Sequence, residues 1–135
     1  MISYCLDTNI VSYLLKNNQD IVNRLKSEII KNNKIKISLI SYYEVLRGLK
    51  YIKNNKKIYK FSNLLKLFDL LEMNADTFET AANIYSELRK NGNLIDDADL
   101  LIAANCIVND CVLITNNLKH FQRVHSLKCE NWLYE

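Results

Sequence analysis

The stretch Ile2-Ser3-Tyr4-Cys5-Leu6-Asp7-Thr8-Asn9 decides the fold. Its first five residues form a short apolar run, the pattern of a strand buried on both faces. Asp7 ends that run, and Thr8 or Asn9 can cap a helix. Ile10, Tyr13, Leu14 and Leu15 then follow at helical spacing, so a strand passes directly into a helix. The same unit recurs along the chain. Residues 35–40 are apolar and β-branched, and Ser41 opens a helix with Val45, Leu46 and Leu49 on one face. Residues 111–115 form another buried run, followed by a helical turn at 117–121.

The intervals fill in around these units. Ile21, Val22, Leu25, Ile29 and Ile30 define an amphipathic helix. Residues 53–57 are polar and read as a loop, and 58–71 read as a helix with a short strand near 70–73. Residues 75–91 read as a helix ended by Gly92, a residue suited to a left-handed cap. Asp96 or Asp97 opens a helix running to Val108, and 127–132 fit an edge strand. Strands alternating with helices predict an α/β fold in which a mostly parallel sheet is covered on both faces. The 135 residues contain no linker or repeat, so one domain spans 1–135.

Composition excludes several classes. With two glycines and no proline, neither glycine-rich phosphate loop can be written. The four cysteines lie in YCL, NCI, DCV and KCE, with no CxxC pair, which argues against a zinc site or a disulfide framework. No apolar stretch is long enough for a membrane span. The N-terminus lacks a basic leader, so the expected location is the cytoplasm. The net charge of +3 hides an asymmetry. Residues 16–66 hold 13 basic and 3 acidic side chains, a balance of +10, whereas the remainder holds 5 and 12, a balance of −7.

In parallel sheets, ligands bind beyond the carboxyl ends of the strands. Asp7 stands there after the first strand, Glu44 after the second, and Thr115, Asn116 and Asn117 after a later one. Asp96 and Asp99 open the helix that follows Gly92. Each acid has a plain structural alternative. Ser41-x-x-Glu44 fits a capping box, Asp96 and Asp99 suit a helix N-terminus, and Asp7 suits a turn. Capping does not require acids from three separate segments of the chain to meet at one edge. Carboxylates so gathered stay ionised only around positive charge, and oxygen-only ligands suit Mg²⁺. Such a cation activates water and neutralises a phosphodiester. A phosphoacceptor signalling domain also gathers acids, but it calls for a lysine after a late strand, and residues 113–117 contain none.

These residues resemble a known family. Tyr4-Cys5-Leu6-Asp7-Thr8-Asn9 is similar to the opening of the PIN domain, and Ser41-x-x-Glu44-x-x-x-Gly48 to its second acidic motif. Ile95-Asp96-Asp97-Ala98-Asp99-Leu100-Leu101-Ile102-Ala103-Ala104 resembles the third, and Leu113-Ile114-Thr115-Asn116-Asn117-x-x-x-Phe121 the last. Within the family, the VapC toxins of type II toxin–antitoxin systems look most similar. The resemblance implies a three-layer α/β/α fold and a Mg²⁺- or Mn²⁺-dependent endoribonuclease that cuts structured RNA, often a tRNA loop. It implies Asp7, Glu44 and Asp99 as metal ligands and Asp96 as a further catalytic acid. Thr115, Asn116 and Asn117 are the implied accessory residues. Many members carry a fourth aspartate where Asn117 stands, which leaves a catalytically weak RNA- or partner-binding module as the alternative. His120 stands where close relatives often have glutamate. The implied partners are a VapB-like antitoxin and a second copy of the chain, in a heterotetramer or larger assembly.

Phosphate binding needs positive charge beside the acids. Arg47, Lys50, Lys53, Lys56 and Lys57 can supply it and form the expected RNA surface, with Lys60 continuing the stretch; the alternative is a solvated lysine-rich helix face. Tyr42, Tyr43, Tyr51 and Tyr59 could stack bases. Ile10, Leu14 and Ile21 fit either the groove that receives the antitoxin or the plain core.

Overall fold

The computed structural model describes residues 1–133. Its strands are β1 (Ser3–Leu6), β2 (Lys34–Ser38), β3 (Asp69–Leu71), β4 (Val112–Ile114) and β5 (Cys129–Glu130). They form one sheet in the order β3-β2-β1-β4-β5, and every pairing is parallel. The helices are α1 (Thr8–Leu15), α2 (Gln19–Ile30), α3 (Leu39–Tyr51), α4 (Asn55–Leu64), α5 (Ala75–Lys90), α6 (Asp97–Val108) and α7 (Leu118–Phe121). Alternation along the strands divides the core. Tyr4, Leu6, Ile35, Ile37 and Ile114 pack with α1 to α4 on one face, while Cys5 and Leu113 pack with α5 and α6 on the other. The result is the expected three-layer α/β/α arrangement, with β1 at the centre of the sheet.

Several boundaries differ from expectation. The second strand ends at Ser38 rather than continuing to Ile40, and Ser38, not Ser41, caps α3 by accepting the Ser41 N–H at 3.1 Å. Glu44 therefore lies beyond the first turn of α3 and is no capping-box residue. The polar stretch 53–57 is a loop only as far as Asn54, whose side chain accepts the Lys57 N–H and starts α4. That helix stops at Leu64, and β3 begins at Asp69. The expected antitoxin groove does not involve Ile10, Leu14 and Ile21, because all three are buried in the core. They face the sheet, so they are unavailable to a partner. Gly92 follows α5 with φ +68°, as a left-handed cap requires.

The C-terminal segment is pinned by one buried aromatic. Trp132 is 1% exposed and meets the Tyr4 ring edge-on, with centroids 5.0 Å apart. The Arg24 guanidinium covers it at 4.9 Å, and its indole N–H donates to Glu130 Oε1 at 3.2 Å. Arg24 also pairs with the buried Glu28 at 2.8 Å, and Asn33 donates to the other Glu28 oxygen at 2.8 Å. Burial pushes the Glu28 carboxyl up. The Arg24 and Asn33 bonds, with the charges of Lys31 and Arg24, outweigh it and hold the group below its ordinary value. All four cysteines are free thiols, and among the described residues no helix is long and apolar enough to cross a membrane.

Candidate active site

The first residue past β1 is fixed from three sides. The Asp7 N–H donates to Ile114 O at 2.9 Å, prolonging the β1–β4 ladder by one bond. The Asp7 side chain caps α1, with Oδ1 accepting the Thr8 N–H at 2.8 Å, and Oδ2 accepts the Thr115 hydroxyl at 2.8 Å. Thr115 Oγ1 in turn accepts the Asn117 N–H at 2.9 Å. The turn after β4 therefore orients the acid after β1. Asp7 itself, rather than the expected Thr8 or Asn9, is the N-cap of α1, and it spends only one of its two oxygens on that bond. Asp7 is 5% exposed, and among the described residues no basic side chain lies at ion-pair distance from it. Burial, with a contribution from the Glu44 charge, raises its pKa despite the Thr115 and Thr8 bonds.

Glu44 approaches from α3. Its Oε1 accepts the Thr8 hydroxyl at 2.7 Å, and that hydroxyl also lies 3.1 Å from Ser41 Oγ. Thr8 thus contacts both acids, its N–H on Asp7 and its hydroxyl on Glu44. Arg47, one turn along the helix, lies 3.8 Å from Glu44 Oε2, with its guanidinium 5.1 Å above the Tyr43 ring. Asp96 occupies the N-cap position of α6 but makes no side-chain capping bond, so its carboxylate is not used by the helix. Asp99 follows in the first turn. Burial, then the charges of Asp7 and Asp96, push the Asp99 carboxyl up to about 6; Glu44 adds to the rise and His120 opposes it. The charges of Asp7, Asp96 and Glu44 thus all act on Asp99, so the four acids share one electrostatic neighbourhood.

Asn116 is exposed. The Asn117 amide nitrogen lies 2.9 Å from His120 Nδ1. An amide nitrogen donates, so His120 Nδ1 accepts this bond whenever the imidazole is neutral. His120 Nδ1 is 3.8 Å from Asp99 Oδ2, too far for a hydrogen bond. The oxygen-only donors and the crowding of carboxylates around Asp99 fit a hard divalent cation. Among the described residues, no group of three or more His, Cys, Asp or Glu side chains is already disposed to hold a metal ion. A cation here would complete its shell with water, as Mg²⁺ commonly does.

The profile of the PIN domain family matches residues 4–127. The chain belongs to the PIN domain family. It is 32% identical to ribonuclease VapC1 of Haemophilus influenzae, over 96% of this chain and 97% of the relative. It is 26% identical to the tRNA(fMet)-specific endonuclease VapC of Shigella flexneri, over 98% and 99% of the two chains. Among solved structures, VapBC2 from Rickettsia felis bound to a promoter DNA fragment superposes with TM-score 0.91 at 32% identity, covering 98% of this PIN domain and 100% of the matched chain.

Within this PIN domain the expected basic residues divide. Lys56 and Lys57 line a cavity together with Lys16 and Lys60, whereas Lys50 and Lys53 do not line it. Sequence spacing does not group Lys16 with them, because it lies 40 residues before Lys56. The Thr8 bridge was also not foreseen. The only sequence signal for it is a hydroxyl residue directly after the first acid.

Raised carboxyl pKa values fix the sign of a pH effect. Asp99 titrates near 6 in the folded chain but near the ordinary carboxylate value when unfolded. Its stabilising proton is fully present below the unfolded value and is lost as pH rises through 6, and Asp7 has the same sign. Glu28, held low, loses its contribution only in stronger acid. In EDTA, the thermal midpoint should therefore fall between about pH 5 and about pH 7. Mg²⁺ added at the upper pH should recover it. Scanning calorimetry checks this, and a midpoint that rises across the same window in EDTA contradicts it.

Proposed function

We propose that this chain is a metal-dependent endoribonuclease that cleaves structured RNA, with tRNA as the expected substrate class, and acts as the toxin of a type II toxin–antitoxin pair. The carrying observation is Asp7, a buried carboxylate with no basic partner at ion-pair distance among the described residues, pressed by other acids at the carboxyl edge of a parallel sheet. The names of the relatives support the ribonuclease and tRNA parts, and the VapBC complex supports the antitoxin part.

Asp7 and Asp99 would hold Mg²⁺, or Mn²⁺ in its place, with Glu44 binding directly or through water. The cation would supply a Lewis acid that makes water nucleophilic near neutral pH and offsets phosphodiester charge. The chain's own groups do the positioning. Thr8 and Thr115 hold the Asp7 carboxylate in one orientation, and the Thr8 hydroxyl fixes Glu44. Asp96 and the Asn117 amide oxygen orient the attacking water. Arg47 lies at the rim, where its guanidinium can meet a phosphate. Lys50, Lys53, Lys56 and Lys57 extend that positive charge along the RNA backbone. The assembly in this reading is a dimer of the chain held with a VapB-like antitoxin. Purified chain incubated with tRNA should cleave it in Mg²⁺ and stop in EDTA. RNA left intact in both conditions would remove the reading.

A further inference from the structure

Two adjoining cavities flank α1. One, of about 300 Å³, is lined by Thr8 and Glu44 at one end and by Lys16 and Lys57 at the other. The second, of about 660 Å³, lies against α4 and shares Leu15, Lys16 and Lys57 with the first. Together they make one groove that starts at the acidic site and ends among lysines. The charge reverses along it. Glu44 lies near the start, whereas Lys16, Lys56, Lys57 and Lys60 line the far cavity with no carboxylate among them.

One of these lysines already has a structural role. Lys60 donates to Leu15 O and to Asn17 Oδ1, closing the C-terminal end of α1. An ammonium has three protons, so one remains for a ligand. Lys16, Lys56 and Lys57 enter none of the ion pairs found among the described residues. Asn54 spends its oxygen on capping α4, which leaves its amide nitrogen as a donor into the cavity. Tyr59 lines the same cavity and is 71% exposed. A pocket with several free ammonium groups, amide donors and an exposed aromatic ring matches a nucleotide: phosphate for the lysines, base for the ring.

We propose that this groove is a substrate subsite, in which the lysine cavity holds the backbone and a base of single-stranded RNA flanking the cleaved phosphate. The proposal rests on the endoribonuclease reading and adds to it a direction for the RNA chain. It leads away from Glu44, between α1 and α3, to α4. It also separates the basic residues by role: Lys56 and Lys57 grip the flank with Lys16, while Lys50 and Lys53 lie outside the groove.

The test measures binding of a short fluorescent oligouridylate to the full chain in EDTA across a salt series. Three proteins are compared with the parent. One carries Lys16→Gln, Lys56→Gln and Lys57→Gln. A second carries Lys26→Gln, Lys90→Gln and Lys128→Gln, which remove equal charge from exposed positions elsewhere. The third carries Tyr59→Ala. The groove triple should bind about tenfold more weakly or worse, and the slope of log K against log salt should fall by about 2, for three lost contacts. The control triple should change little. Tyr59→Ala should weaken binding about fivefold or more, with the slope unchanged. Equal losses in the two triples would overturn the subsite. So would unchanged RNA binding in the groove triple together with loss of antitoxin binding, which would assign the groove to a protein partner. Because cleavage is not the readout, failure of the nuclease reading is separable. Normal tRNA cleavage in Mg²⁺ with unchanged binding by the groove triple defeats the subsite alone. Absence of cleavage defeats the nuclease reading, and the binding comparison still decides the groove.

Discussion

Replacing Asp7 with Asn should lower the rate of RNA cleavage about 1,000-fold, equivalent to roughly 4 kcal/mol of transition-state stabilisation. The amide keeps the shape of the carboxylate but removes the charge that holds a cation. The fold should tolerate it. Asn Oδ1 can still accept the Thr8 N–H, and its amide nitrogen can donate to Thr115 Oγ1, which reverses the present bond. Asp7 is buried and its pKa is raised, so neutralising it relieves desolvation rather than breaking an ion pair. The thermal midpoint in EDTA should therefore hold or rise while the rate collapses. Single-turnover kinetics and calorimetry on one preparation separate the two effects. A variant within tenfold of the parent rate would remove Asp7 from the chemistry.

Trp132→Ala carries the largest expected stability cost. Truncating a fully buried Trp typically costs about 3–5 kcal/mol through lost transfer energy and the cavity left behind. Here the edge-on contact with Tyr4 and the covering Arg24 guanidinium go with it, and Glu130 loses the indole donor. Against a typical total of about 5–15 kcal/mol, such a loss leaves a marginal fold. The expected signature is a urea midpoint well below the parent's and a thermal midpoint lower by about 10–15 °C. Trp132 is the single tryptophan, so its own emission in the parent reports the same burial. A cost below about 1 kcal/mol would mean that the C-terminal segment is not seated on β1 and α2 as described.

What was legible in the sequence follows the physics of each signal. A buried strand that ends in an acid is conspicuous, and so Asp7 and the parallel sheet are legible, whereas Asp96 and Asp99 follow α5 and are marked only by the helix start after Gly92. The β2–α3 boundary was not, because Leu39 and Ile40 continue the apolar pattern of the strand into the first turn of the helix. Helix α4 was partly hidden for the opposite reason. Its first turn is Asn-Lys-Lys, a polar run that resembles a loop, and only Asn54 as a cap marks its start. Glu28 reads as the polar face of an amphipathic helix, yet tertiary contacts bury it with Arg24 and Asn33. Ile10, Leu14 and Ile21 have the right spacing for either a groove or a core, and periodicity alone does not distinguish the two. Lys16 belongs with Lys56 and Lys57 only through packing of α1 against α4.

The central claim is that acids from separate segments of the chain act together, through a divalent cation and water, on a phosphodiester. End-labelled tRNA should be incubated with the chain purified free of any partner, first in EDTA and then after Mg²⁺ is restored, and the new RNA termini identified. Water-driven hydrolysis should be silent in EDTA and return with Mg²⁺, and no product should carry a 2′,3′-cyclic phosphate. Cleavage that persists in EDTA, or termini bearing that cyclic phosphate, would show that the 2′-hydroxyl is the nucleophile and that the gathered carboxylates do not run the reaction.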